Sequence, residues 1–133
     1  MFIIPVIDLQ EGRVVHAMRG ERDHYQPIHR NSKLTQSSQP ETVLNDILQF
    51  YPFERIYIAD LDAIRGKGYN RDALKRLAIE HSDLEFWLDD GRQLTGSFDL
   101  EANQRCVIGT ESQTNRPTPI TADYILSLDF ADQ

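Results

Sequence analysis

Carboxylates standing just beyond apolar runs are the groups of this sequence best suited to chemistry. Asp8 closes the run 2–7, and Asp129 closes the run 124–128 near the other end of the chain. If both runs are parallel strands, their C-terminal ends form one floor, and two carboxylates there can face one another across a bound molecule as general acid and general base. The competing reading is that each Asp caps the turn after its strand.

Asp60-Leu61-Asp62 follows the run 55–59, and Asp89-Asp90 follows 84–88. Carboxylates two apart point the same way if the strand continues, which suits a divalent cation. The pattern superficially resembles the haloacid dehalogenase phosphatases, but the order fails. Those enzymes place a Ser or Thr motif and a Lys between their acidic motifs, and here Ile64 stands where a small residue is usual. Gly91 and the pair Gly109-Thr110 are candidates for a phosphate cradle, because glycine admits close backbone approach; each is equally an ordinary turn residue. Arg19, Arg22 and Arg30 lie in or near a polar segment, 19–39, and can close over an anion, against the default of a solvated loop. His16, His24, His29 and His81 show no ligand spacing, so no metal is predicted. Phe86 and Trp87 read as core.

The elements that must position these groups are short. Five apolar runs, 2–7, 55–59, 84–88, 106–108 and 124–128, lack the alternation of a sheet with one wet face, which predicts strands buried on both sides. A helix is predicted over 40–50, with Pro40 in its first turn and Tyr51-Pro52 as its stop, and another over 71–80 with Asn70 as N-cap. Strand, helix, strand, helix, strand is the βαβ signature of a parallel sheet. Gly12-Arg13-Val14-Val15-His16-Ala17 predicts a short β-ribbon above the first strand end. The segment 19–39 reads as a long loop, 93–105 has only a weak helical stripe through Phe98 and Leu100, and 111–123 reads as a loop.

The 133 residues are 40% hydrophobic and 26% charged, the profile of one globular domain rather than of a disordered or membrane-spanning chain. A net charge of -7 repels a duplex of phosphates, so nucleic acid is not an expected partner, although local backbone N–H groups can still bind a small anion. Cys106 is the sole cysteine, which excludes an internal disulfide and fits a reducing cytoplasm. The apolar opening is cut short by Asp8 and lacks a basic flank, so it reads as a strand and not as a signal or membrane segment.

The ordering of the motifs resembles the histidine-biosynthesis isomerase and cyclase family of sugar-phosphate βα barrels, the HisA and HisF type. The resemblance rests on Ile3-Ile4-Pro5-Val6-Ile7-Asp8-Leu9, Gly12-Arg13-Val14-Val15, Arg19-Gly20-Glu21, Ile58-Ala59-Asp60-Leu61-Asp62-Ala63, Gly66-Lys67, Asn70, Val107-Ile108-Gly109-Thr110 and Leu126-Ser127-Leu128-Asp129. It implies an α/β fold, the N-terminal part of a (βα)8 TIM-type barrel of about five parallel strands, incomplete in this chain and forming a single partial domain over 1–133. It also implies an Amadori rearrangement of a phosphorylated N-linked aminosugar, without cofactor or metal. Asp8 and Asp129 are then the acid–base pair, with Arg19, Gly20, Asp62, Gly91, Arg92, Gly109 and Thr110 binding substrate or its phosphate. At the third strand end, Asp89-Asp90-Gly91-Arg92 replaces the family's glycine run, so phosphate meets carboxylates there unless Arg92 compensates. An eight-stranded barrel typically needs about 250 residues, so either a second copy or a C-terminal half completes it, or the chain is a compact open sheet in its own right. The alternative is a non-catalytic or differently specific relative that binds another phosphorylated or ring-containing metabolite.

Overall fold

A computed structural model describes residues 3–18, 21–30, 32–92, 99–109 and 124–127. Seven strands, β1 (Val6–Gln10), β2 (Arg13–Met18), β3 (Glu21–Pro27), β4 (Arg55–Asp60), β5 (Glu85–Asp89), β6 (Gln104–Gly109) and β7 (Tyr124–Ser127), form one sheet in the order β3-β2-β1-β4-β5-β6-β7. The five strands β1, β4, β5, β6 and β7 pair in parallel and in chain order. The ribbon β2–β3 adds antiparallel to the outer edge of β1.

Helix α1 (Pro40–Phe50) begins on Pro40, whose missing N–H is no loss in a first turn, and stops where Tyr51 turns extended. It buries Pro40, Val43, Leu44 and Ile47. After the single turn α2 (Leu61–Ile64), helix α3 (Arg71–Glu80) buries Ala73, Leu74, Leu77 and Ala78. Both stripes join one core with Ile7, Leu9, Ile56, Ile58, Phe86 and Leu88, so α1 and α3 cover the same face of the sheet. Sequential parallel strands with helices on one face build the wall of a βα barrel, whereas a doubly wound sheet places helices on both.

Several expectations are corrected. The first strand begins at Val6 and runs on to Gln10. The supposed loop 19–39 contains β3 and a 3-10 turn, Ile28–Arg30. Its sequence, Glu-Arg-Asp-His-Tyr-Gln-Pro, has no apolar stripe because an edge strand need not bury one. The strands are not equally buried on both sides: β1 and β5 alternate, with Ile7, Leu9, Phe86 and Leu88 under the helices. The other face carries Val6, 64% exposed, and Trp87, half-buried and therefore not part of the helix-covered core. Residues 99–103 hold no regular element, although Leu100 packs on the core; 93–98 and 111–123 lie outside the described residues.

Candidate active site

Asp8 pairs in register with Ala59, and Ala59 with Asp89, so the three residues form one row across β1, β4 and β5. Row partners share a face, and this row lies on the face away from α1 and α3. Two strand spacings put the Cα atoms of Asp8 and Asp89 roughly 10 Å apart. Asp8 is half-buried. Burial raises its pKa, the His16 imidazole counteracts this in part, and the charge of Asp89 adds to the rise.

The next row toward the strand starts holds Val6, Tyr57 and Trp87. From it the Tyr57 hydroxyl donates to Asp89 Oδ2 at 2.7 Å. Asp89 is the last residue of β5, and Asp90, just beyond it, lines the groove on the helix side, so the two side chains diverge. Asp90 takes a forked pair from Arg92, whose Nε lies 2.8 Å from Oδ1 and whose Nη2 binds Oδ2. That bond is the main cause of the raised pKa of Arg92. The arginine expected to offset both carboxylates forks onto Asp90, and Asp89 accepts from two neutral donors, the Tyr57 phenol at Oδ2 and the Gly91 N–H at Oδ1, 3.4 Å away. Gly91 follows with φ 71°, and a Cβ there would stand 3.1 Å from Ile64 Cα, so both its backbone and its surroundings require glycine.

The strand does not continue through Asp60-Leu61-Asp62, because α2 begins at Leu61. Asp60, only 2% exposed, accepts from Ala63 N (3.2 Å), Asn70 N (2.8 Å) and Asn70 Nδ2 (2.7 Å). Asp62 accepts from Asn70 Nδ2 at 2.9 Å and from Glu11 N at 2.7 Å. Gly12 N in turn donates to Asn70 Oδ1 at 2.9 Å. Glu11 and Gly12 have φ 52° and 75°, the signature of a two-residue hairpin turn, and this clamp pins that turn to the end of β4. The pair is therefore a structural clamp rather than two aligned cation ligands. Asn70 precedes α3 as expected, but its side chain is spent on the clamp and does not cap the helix. Among the described residues, no three His, Cys, Asp or Glu side chains converge as for a metal ion.

Gly109 ends β6, buried and paired with Ser127, the last residue of β7. Because β1 and β7 run parallel, their C-terminal ends share a rim. Asp129, Arg19, Gly20 and Thr110 lie outside the described residues. Of the expected site residues, the structure places Asp8, Asp62, Gly91, Arg92 and Gly109 at this rim. Only Asp8 presents a side chain on the face away from the helices. A groove of about 560 Å³ opens instead on the helix side, where Asp60, Asp90, Asp99 and Glu101 outnumber Arg71, Lys75 and Arg92 and leave no net attraction for an anion. Tyr57 was not legible as a site residue: it sits in an otherwise ordinary strand, and only the register brings it to Asp89.

A family model described as histidine biosynthesis protein matches residues 2–120. The chain belongs to this family. The sheet is accordingly part of a (βα) TIM-type barrel, as the sequential strands and one-sided helices indicate. Over 131 residues the chain is 33% identical to an uncharacterized protein of Methanocaldococcus jannaschii, covering 98% of this chain and 57% of that one. It is also 28% identical over 78 residues to a phosphoribosyl imidazole-4-carboxamide isomerase of Methanopyrus kandleri, covering 59% of this chain and 28% of that protein. The chain thus spans little more than half the length of the first of these relatives and a smaller share of the second.

Proposed function

We propose that this chain carries the acid–base rim of a HisA-like aldose–ketose isomerase acting on a phosphorylated N-linked aminosugar. The observation that carries the reading is Asp8. It is a half-buried carboxylate of raised pKa in β1, one residue before the end of that strand's parallel pairing with β4, on the face away from the helices, in a chain of the histidine-biosynthesis family. A carboxyl group moved toward neutrality gives up and takes back a proton more readily at working pH. In the reaction one carboxyl protonates the sugar ring oxygen as the ring opens to an imine. The partner then removes the C2 proton, and the enaminol so formed takes a proton at C1 as its 2-hydroxyl gives one up, leaving the ketose. Asp129, two residues beyond β7, is the proposed partner. Four strand spacings separate β1 from β7, roughly 19 Å along the sheet, so the wall must curve for both to reach one sugar. Further βα units, from a second copy or from a longer chain, are proposed to close it. Gly109 and Thr110 are the proposed phosphate contacts, joined by Arg19 and Gly20, which lie between β2 and β3 in sequence.

The test is turnover of an N-linked aminoaldose phosphate to its ketose, followed by NMR of the C2 proton. Asp8→Asn and Asp129→Asn are each expected to lower the rate by about 100-fold or more. Full activity in either variant refutes the pair. The pairing of Arg92 with Asp90 favours a second reading, a relative of altered specificity; the same variants distinguish a non-catalytic binder, whose cellular role survives Asp8→Asn.

A further inference from the structure

We propose that Asp89, oriented by Tyr57, is a specificity-determining residue of this rim, which selects a hydroxyl or ammonium group over a phosphate above β5. The inference rests on the proposed site around Asp8 and extends it to the recognition of the substrate. Three observations carry it. Asp89 shares a row and a face with Asp8, so a sugar within reach of one reaches the other. The Tyr57 hydroxyl donates to Oδ2 at 2.7 Å and the Gly91 N–H, more distantly, to Oδ1 at 3.4 Å, so both donors that orient the group are neutral and leave its negative charge in place. The nearby guanidinium that would reverse the sign of this rim is forked onto Asp90, and both line the groove on the helix side.

A carboxylate only accepts hydrogen bonds, so its complement is a donor. Sugar hydroxyls and protonated amines supply donors. A phosphate brings acceptors and like charge into a half-buried place, where repulsion is weakly screened. The phenol matters because it holds the carboxylate upright over the row. Phosphate binding is thereby displaced toward the β6 and β7 ends, where Gly109 carries no side chain.

The experiment measures the affinities of the full-length protein for D-glucosamine, a cationic polyol, and D-ribose 5-phosphate from the dependence of Tm on ligand concentration. The readout is the ratio of the two affinities, which a general loss of stability does not move. In Asp89→Asn the preference is expected to shift toward the phosphate by about tenfold or more, since hydrogen bonds to charged groups are of that size. Tyr57→Phe, which keeps the ring and removes the hydroxyl, is expected to shift it the same way by a few-fold. An unchanged ratio in Asp89→Asn, or no response of the wild-type protein to either probe, overturns the proposal. Isomerase turnover is scored separately. Loss of the isomerase reading with a shifted ratio leaves Asp89 as a selector, and intact turnover with an unmoved ratio removes the selector alone.

Discussion

Replacing Asn70 with Ala tests the clamp that holds the rim together. The side chain makes three bonds: Nδ2 to Asp60 at 2.7 Å, Nδ2 to Asp62 at 2.9 Å, and Oδ1 from Gly12 N at 2.9 Å. A bond to a carboxylate contributes about 1.5–3 kcal/mol and one between neutral groups about 0.5–1.5 kcal/mol, so independent losses would total about 3.5–7.5 kcal/mol. They are not independent. Asp60 keeps the N–H groups of Ala63 and Asn70, Asp62 keeps that of Glu11, and water can reach the half-buried Asp62. The expected cost is therefore about 3–4 kcal/mol, most of it from the 2% exposed Asp60 losing one of its three donors. For a chain of this size that lowers Tm by on the order of 10 °C. Urea unfolding at constant m measures the free energy, and amide exchange at Gly12 reports whether the hairpin has come loose. A loss below about 1 kcal/mol, or unchanged protection at Gly12, refutes the reasoning. No helix-cap effect confuses the result, because the Asn70 side chain makes no cap bond to α3.

Other consequences follow from single observations. The pKa of Asp8 is raised on folding, so its stabilising contribution is present below the ordinary carboxylate range and disappears as pH rises through the folded value. Asp8→Asn is accordingly expected to raise Tm at pH 7, with the gain fading toward pH 3.8, in a series of melts across that range. Gly91→Ala places a Cβ 3.1 Å from Ile64 Cα at φ 71° and is expected to cost about 1–3 kcal/mol in denaturant unfolding. Burial pushes the Cys106 thiol up to about 12, so a thiol reagent at pH 8 is expected to label it only as fast as the protein opens. Breaking the exposed Arg76–Glu41 pair between α3 and α1, 3.1 Å apart, is expected to cost less than about 1 kcal/mol and serves as the contrast to Asn70→Ala.

Local periodicity carries far in this chain. Apolar spacing and a proline at the first helical position predict α1 over the residues it occupies, and the same holds for α3, because a helix is decided by residues three and four apart. The four later strands fall on their apolar runs within two residues at each end. The charged sequence of β3 hides it, since an edge strand is held by backbone bonds to its neighbour rather than by a buried stripe.

The site is a different matter. Order along the chain marks Asp8, and the family motifs mark Asp60, Asp62 and Asn70, yet what each does is decided by groups distant in sequence. Asp62 meets Glu11 from 51 positions away, and Asp89 meets Tyr57 from 32. The sequence by itself determines which residues can donate, accept or hold charge and which stripes must be buried. Only the tertiary structure decides that Arg92 goes to Asp90, that Asp60 becomes a buried clamp, and that Asp8 and Asp89 share a row. The physical reason is that strand register is an agreement between separate segments, and a one-residue change in it would turn every such side chain to the other face.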